Sequence, residues 1–279
     1  MRKLRISAIS YLNTAPLMWD FEHGEAGKQF EISYTLPSGC ARALAEGRAD
    51  LGIIPAAAYT QIPDLEILPD IAIASRQPVR SILLVSRKPI EDVRTVALDT
   101  SSMTSVALTK VLFAKWLGGG RSFTPMEPVL ESMLEKCDAG LLIGDPALQV
   151  DRARYRTLDL AEEWIRFTGK PFVFAFWAVR SKALQEADPA LDIPQMFRES
   201  RDHGLEERNL AQIVAEWSVK LGLSEESVRT YLTENIYYEL DAACIEGLQL
   251  FYRYAGEIGA IPAPMELRFT QPTFPESRN

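Results

Sequence analysis

From Asp99 to Ser105 the chain reads Asp-Thr-Ser-Ser-Met-Thr-Ser, which puts five hydroxyls in seven positions. The run joins an apolar strand, Thr95 to Leu98, to an amphipathic helix pattern from Thr104 to Leu117. The first N–H groups of a helix have no partner inside it, and with the helix dipole they favour negative charge. Hydroxyls beside them add donors that rotate to fit a carboxylate. One such residue suffices as an N-cap, which leaves most of the run unexplained by capping. The pattern points to an anion site built from Asp99, Thr100, Ser101, Ser102, Thr104 and Ser105.

Four further positions could face the same ligand. Asn13 sits in a strand-to-helix turn, Ser10 to Pro16, where its amide can donate and accept; an Asx turn explains it equally well. Ser38, in Leu36-Pro37-Ser38-Gly39, reads as a cap with a ligand role open to it. Ser81 follows Arg80 at the head of an apolar strand, where a hydroxyl is commonly satisfied by backbone. Asp145 lies between a strand and a helix in Ile143-Gly144-Asp145-Pro146, placed either to cap that helix or to bond across a cleft. Trp164, Phe172, Phe174, Phe176 and Trp177 read mainly as core, with Phe172, next to Pro171, the one expected to wall the pocket.

Other chemistries lack their residues. The chain has two histidines, His23 and His203, each in a polar stretch near a glycine, which reads as surface. No His/Cys/Asp group has metal-ligand spacing, and no phosphate loop, dinucleotide glycine motif or nucleophile elbow appears. No metal and no cofactor are expected.

The elements that must position these residues alternate. Strands at Leu4 to Ile9, Phe30 to Leu36 and Leu51 to Ile54 each precede a helix start, at Thr14-Ala15-Pro16, Pro37-Ser38-Gly39 and Pro55. A second series follows: strand Thr95 to Leu98 and its helix, a helix start near Thr124-Pro125, strand Ala139 to Ile143, a helix at Asp145-Pro146, and strand Phe172 to Val179. Such alternation implies an α/β fold with mostly parallel sheets, and ligands in these sheets sit at the carboxyl ends of the strands. After Arg180 the pattern is helical, with Leu210, Ile213, Val214 and Trp217 on one stripe and Leu240, Cys244, Leu248 and Tyr252 on another. We expect two lobes around a cleft, one discontinuous (1–86 and 176–279) and one continuous (87–175), with crossings near 87 and 175 as a hinge. Residues from Gln271 to Asn279 read as a frayed tail.

Bulk properties bound the partners. At 279 residues and 47% hydrophobic composition the chain can bury a sizeable core, and its net charge of -8 argues against nucleic acid and anionic membranes. Cys40, Cys137 and Cys244 form no CxxC pair and fit buried thiols in a reducing compartment. No apolar leader of about 7–15 residues opens the chain and no run nears the roughly 20 of a membrane span. The expected protein is cytoplasmic, a monomer or weak homodimer, and acts on a small molecule.

These segments, taken in order, carry a resemblance. Ser10-Tyr11-Leu12-Asn13-Thr14-Ala15-Pro16, Leu36-Pro37-Ser38, Glu46 to Pro55, Arg80 to Ser86, Leu98 to Ser102 with Thr104-Ser105, Ile143 to Leu148, and Trp164 with Phe167 to Ala175 span nearly the whole chain. The ordered set resembles the chorismate dehydratases of the futalosine route to menaquinone. The resemblance implies a type II periplasmic-binding-protein-like fold, dehydration of chorismate to 3-[(1-carboxyvinyl)oxy]benzoate, and no metal or organic cofactor. It also implies Asn13 and Ser81 as catalytic residues and the Thr100–Ser105 loop as a carboxylate site. One position departs: Met103 stands where an arginine is common in the family. Two alternatives stay open, a non-catalytic binding protein for a small carboxylate and a sister enzyme acting on a later cyclic intermediate, for which a histidine near the site is expected.

Overall fold

A computed structural model of the chain describes residues 2–262 and 266–270. The expected tail from Gln271 to Asn279 lies outside the described residues. The elements are β1 (Leu4–Ile9), a 3-10 turn (Leu12–Met18), α1 (Trp19–His23), β2 (Phe30–Thr35), α2 (Pro37–Ala45), β3 (Leu51–Pro55), α3 (Ala56–Tyr59), β4 (Leu65–Ser75), β5 (Ile82–Ser86), β6 (Thr95–Asp99), α4 (Thr104–Lys115), β7 (Ser122–Met126), α5 (Leu130–Lys136), β8 (Ala139–Ile143), α6 (Gly144–Leu148), β9 (Arg156–Asp159), α7 (Leu160–Thr168), β10 (Phe172–Arg180), α8 (Ser181–Glu186), α9 (Ile193–Leu205), α10 (Glu207–Leu221), α11 (Glu225–Thr230), a π-helical turn (Tyr231–Asn235) and α12 (Ala242–Glu257).

Two five-stranded sheets organise them, in the orders β2-β1-β3-β10-β4 and β7-β6-β8-β5-β9. Within the first, β1 runs parallel to β2 and β3; within the second, β6 runs parallel to β7 and β8. The strands that enter each lobe from the other, β5 and β10, lie antiparallel between their neighbours. They pair on both sides and reach the core on both faces, which is why Leu83-Leu84-Val85 and Phe172 to Val179 read as unbroken apolar runs.

The crossings fall earlier than the sequence pattern places them. Ile82–Ser86 belongs to the second sheet, so the first crossing lies between Ser75 and Ile82, not near 87. Phe172 pairs with Ser75 in the first sheet, so the return lies between Thr168 and Phe172, not near 175. Ile82–Ser86 and Phe172–Val179 are buried throughout, and an apolar run carries no mark of the sheet it joins. The helix start read at Thr124-Pro125 is instead the edge strand β7. Proline is tolerated there because an edge strand has a side without ladder partners.

The larger apolar core joins the first lobe, the inner face of the second sheet and the C-terminal helices. A smaller one, with Leu83, Val85, Met133 and Leu142, fills the second sheet's outer face. The C-terminal helices also buttress the turn after β1. Ser200 Oγ donates to the Leu17 carbonyl at 2.9 Å and accepts the Asp20 N–H at 3.0 Å. A Cβ at Gly204 would stand 2.2 Å from the Pro16 carbonyl oxygen, so α9 needs glycine to seat against this turn.

Candidate active site

A narrow cleft of about 50 Å³ lies between the lobes. The first lobe supplies Ile9, Tyr11, Asn13, Pro37, Pro55, Ile73, Phe174 and Ala175; the second supplies Ile82, Ser102, Thr104, Ser105, Ile143 and Gly144. No arginine, lysine, histidine or carboxylate is among these described lining residues. The polar side chains among them are Tyr11, Asn13, Ser102, Thr104 and Ser105.

α4 begins at Thr104 behind Met103, and no side chain caps it. Its first N–H groups, with Ser102 and Ser105, are therefore available to an anion. Two other helix starts are already engaged across the lobes. The Ser38 N–H at the head of α2 donates to the Ser101 carbonyl at 3.0 Å, and the Ala57 N–H at the head of α3 donates to Thr104 Oγ1 at 3.1 Å. Thr104 Oγ1 in turn donates to the Phe174 carbonyl at 3.0 Å. The Leu12 N–H donates to Asp145 Oδ1 at 3.0 Å. The lobes are closed on one another.

Gly144 permits that closure. Its φ of +61° is strained for other residues, and a Cβ there would lie 2.5 Å from the Tyr11 ring. Burial pushes the Tyr11 phenol up to about 12, so the hydroxyl keeps its proton at neutral pH and meets Ser101.

Two carboxylates, Asp99 buried and Asp145 half-buried, stand behind the cleft walls. Burial pushes Asp145 up to about 6 despite the Leu12 N–H it accepts. Burial also raises Asp99, whose Oδ1 accepts from both the N–H and the hydroxyl of Ser101 while Oδ2 is buried with no partner. An uncompensated carboxyl prefers its neutral form. Neither carboxyl faces the cleft.

A family model described as menaquinone biosynthesis matches residues 4–257. The chain belongs to this menaquinone biosynthesis family. It is 31% identical to the chorismate dehydratase of Thermus thermophilus over 283 residues, covering 95% of this chain and 98% of that one. Among solved structures, an Archaeoglobus fulgidus protein superposes with a TM-score of 0.72 at 20% identity, covering 93% of this chain and 98% of that one. The periplasmic aliphatic sulphonate binding protein of Escherichia coli superposes at 0.66 and 18% identity, covering 100% and 95%. These likenesses bear out the two-lobed, periplasmic-binding-protein-like fold.

Within this menaquinone biosynthesis chain the expected site residues separate into three groups. Asn13, Ser102, Thr104 and Ser105 line the cleft, although the Thr104 hydroxyl is committed to Ala57 and Phe174. Ser81, Ser101, Asp99 and Asp145 lie just behind it: Ser81 accepts from the Tyr231 hydroxyl at 2.8 Å, and Asp145 holds the backbone next to Asn13. Asp145 thus bonds across the cleft; no side chain caps α6.

The remaining three lie elsewhere. Thr100 is exposed and donates to Glu127 at 3.0 Å, because the turn after β6 points that side chain outward. Ser38 and Met103 line a separate recess with Arg42 and Gln61, so the Met103 departure does not touch the cleft lining. Phe172 is core, packed on Trp164, Phe174 and Phe251. The pairing of β10 with β4 shifts register between Val173 and Ala175, and Phe174 faces the cleft in its stead.

The two histidines do not line the cleft. His23 stacks on Trp19 at 3.9 Å, and His203 pairs with Asp20 at 2.7 Å. A larger recess of about 330 Å³ shares Ile9 and Tyr11 with the cleft and is also lined by His23, Glu22, Trp19, Tyr34, Trp217 and Lys220, away from the hydroxyl run. Among the described residues no three His, Cys, Asp or Glu gather as a metal site, and no helix is long and apolar enough to cross a membrane. Tyr11 and Tyr231 went unpredicted. Tyr11 stands two residues before Asn13 in the same turn; Tyr231 is far along the chain in a segment with no motif.

Proposed function

We propose that this chain is a cytoplasmic hydro-lyase that dehydrates chorismate to 3-[(1-carboxyvinyl)oxy]benzoate on the futalosine route. The observation that carries the reading is a charge-free cleft with a free helix start, in a chain 31% identical over nearly its full length to a chorismate dehydratase. One carboxylate of the substrate meets the N–H groups of α4 with Ser102 and Ser105. Asn13 faces the ring.

The step removes one ring hydrogen and the neighbouring hydroxyl. The C–H electron pair becomes a ring double bond, the C–O bond breaks, and hydroxide leaves with a proton as water. Among the described residues no carboxylate, amine or imidazole lines the cleft to take the hydrogen, which favours the substrate's own enolpyruvyl carboxylate as base. The chain then contributes position and oriented dipoles, whose effect is large in a water-excluded site.

Incubating pure protein with chorismate tests this. The expected result is loss of chorismate's ultraviolet band and a product lighter by one water. Chorismate left intact, with some other small anion tightly retained, would establish a binding protein instead.

A further inference from the structure

Two residues of the cleft wall in the second lobe meet at Ser81. Ile82 follows it in the chain, and the Gly144 N–H donates to its carbonyl at 2.7 Å; both line the cleft. Gly144 lies so near the Tyr11 ring that a Cβ would stand 2.5 Å from it. The direction in which the chain enters Ser81 therefore sets Ile82 through the backbone and Gly144 through the hydrogen bond. That direction is decided one residue earlier, where Arg80 has a left-handed φ of +63°. The other non-glycine residues of positive φ among those described are Asp64 and Asp70, a type that visits this region more readily. An arginine holds the conformation only where its surroundings over-determine it.

Asp159 supplies those surroundings. It ends β9, pairs there with Leu83 of β5, and is buried. Its Oδ2 accepts the Arg80 N–H at 2.6 Å. Its Oδ1 accepts the Val79 N–H at 3.2 Å and, at the head of α7, those of Ala161 at 3.0 Å and Glu162 at 3.2 Å. Capping α7 uses Oδ1 alone and leaves the bond from Oδ2 unexplained. Hydrogen bonds to a carboxylate are short and strong, as this one is. Ser227 Oγ takes the Arg80 guanidinium at 2.9 Å and Arg152 donates to the Arg80 carbonyl at 3.2 Å, but neither engages the Arg80 N–H.

We propose that Asp159 is a positioning residue of the cleft: beyond capping α7, its second oxygen holds Arg80 left-handed and thereby places Ile82 and Gly144 in the cleft wall. Only the catalytic consequence rests on the proposed dehydration. The test uses full-length Asp159→Asn. Asparagine caps a helix as well as aspartate does. It keeps one oxygen for Val79, Ala161 and Glu162 and turns an amide NH2 toward the Arg80 N–H, so it strikes the tie and spares the cap. With chorismate, kcat of the folded variant should fall about 10- to 100-fold, the scale of misplaced groups around a substrate. In an Arg80→Gly background the same change should cost less than about twofold, because glycine takes a positive φ unaided. A residue that served only as a cap would cost the same in both backgrounds. Without any substrate, the Gly144 backbone amide signal in an NMR spectrum should move and exchange with solvent about tenfold faster or more.

A kcat within about twofold of wild type overturns the proposal, as does an unmoved Gly144 signal or an equal loss in both backgrounds. If wild type leaves chorismate untouched, the dehydration reading fails alone, and the Gly144 signal still decides Asp159. If Asp159→Asn does not fold, wild type itself reads the tie. Its Arg80 amide should exchange only through global unfolding, and its coupling constants should report a positive φ; exchange at the rate of an open loop, or a negative φ, overturns the proposal.

Discussion

The Thr104 hydroxyl of the second lobe donates to the Phe174 carbonyl of the first at 3.0 Å, while accepting the Ala57 N–H at 3.1 Å. A residue expected to hold substrate is thus a latch between the lobes. Replacing it by valine keeps its volume and strands two buried backbone groups, each worth about 1–3 kcal/mol when unpaired. In the Thr104→Val variant the lobes should spend more time apart. KM should rise about tenfold or more, and X-ray scattering of the ligand-free variant should give a larger radius of gyration. A raised KM with unchanged scattering would return Thr104 to the role of a simple ligand.

Asn13 faces the cleft, whose described lining residues include no charged side chain. Asn13→Asp keeps the shape and places a negative group next to a dianionic substrate. Turnover should drop at least about 100-fold, the scale of losing an oriented donor, while equilibrium dialysis still detects substrate binding. Near-normal turnover would remove Asn13 from the mechanism.

Asp145 gives a pH signature. Burial raises its carboxyl from 3.8 to about 6, so the folded protein holds the proton more tightly than the unfolded chain. The favourable contribution of the neutral form is full below 3.8 and is lost as pH rises through about 6. Wild type above that range carries a half-buried charge. Asp145→Asn keeps an acceptor for the Leu12 N–H and carries none. The variant should be more stable than wild type at pH 8 by about 1–3 kcal/mol, with the gap closing toward pH 4, in urea titrations across pH. A variant less stable than wild type at pH 8 would show that the charge itself is needed across the cleft.

Neighbouring aromatics on β10 should part ways. Phe172→Ala empties a place between Trp164 and Phe251 and should cost about 3–5 kcal/mol of stability. Its remaining folded fraction should turn over normally. Phe174→Ala should lose less stability and more turnover, because it opens the cleft wall. Urea melts paired with initial rates separate the two, and a reversal would put Phe172 back in the pocket.

Much was written in the residues themselves. Apolar strands followed by capped or proline-opened helices specify an α/β fold because period and punctuation are local properties. The hydroxyl run at Ser102–Ser105 marked one wall of the cleft because strand, turn and helix start lie together in the chain. The ordered segments from Ser10 to Ala175 identified the family. What needed the tertiary structure is everything that depends on the partner across a gap. Ile82–Ser86 and Phe172–Arg180 are apolar in either sheet, so only their pairing assigns them. Thr104 and Asp145 have side chains that suit a ligand or a backbone group equally, and the closed lobes supply the backbone group first. Thr100 and Phe172 turned away because the direction of a side chain in a turn, or past a register shift, follows from backbone geometry that spacing does not encode. Tyr231 is the extreme case: 150 residues separate it from Ser81, and only folding brings the phenol to that hydroxyl.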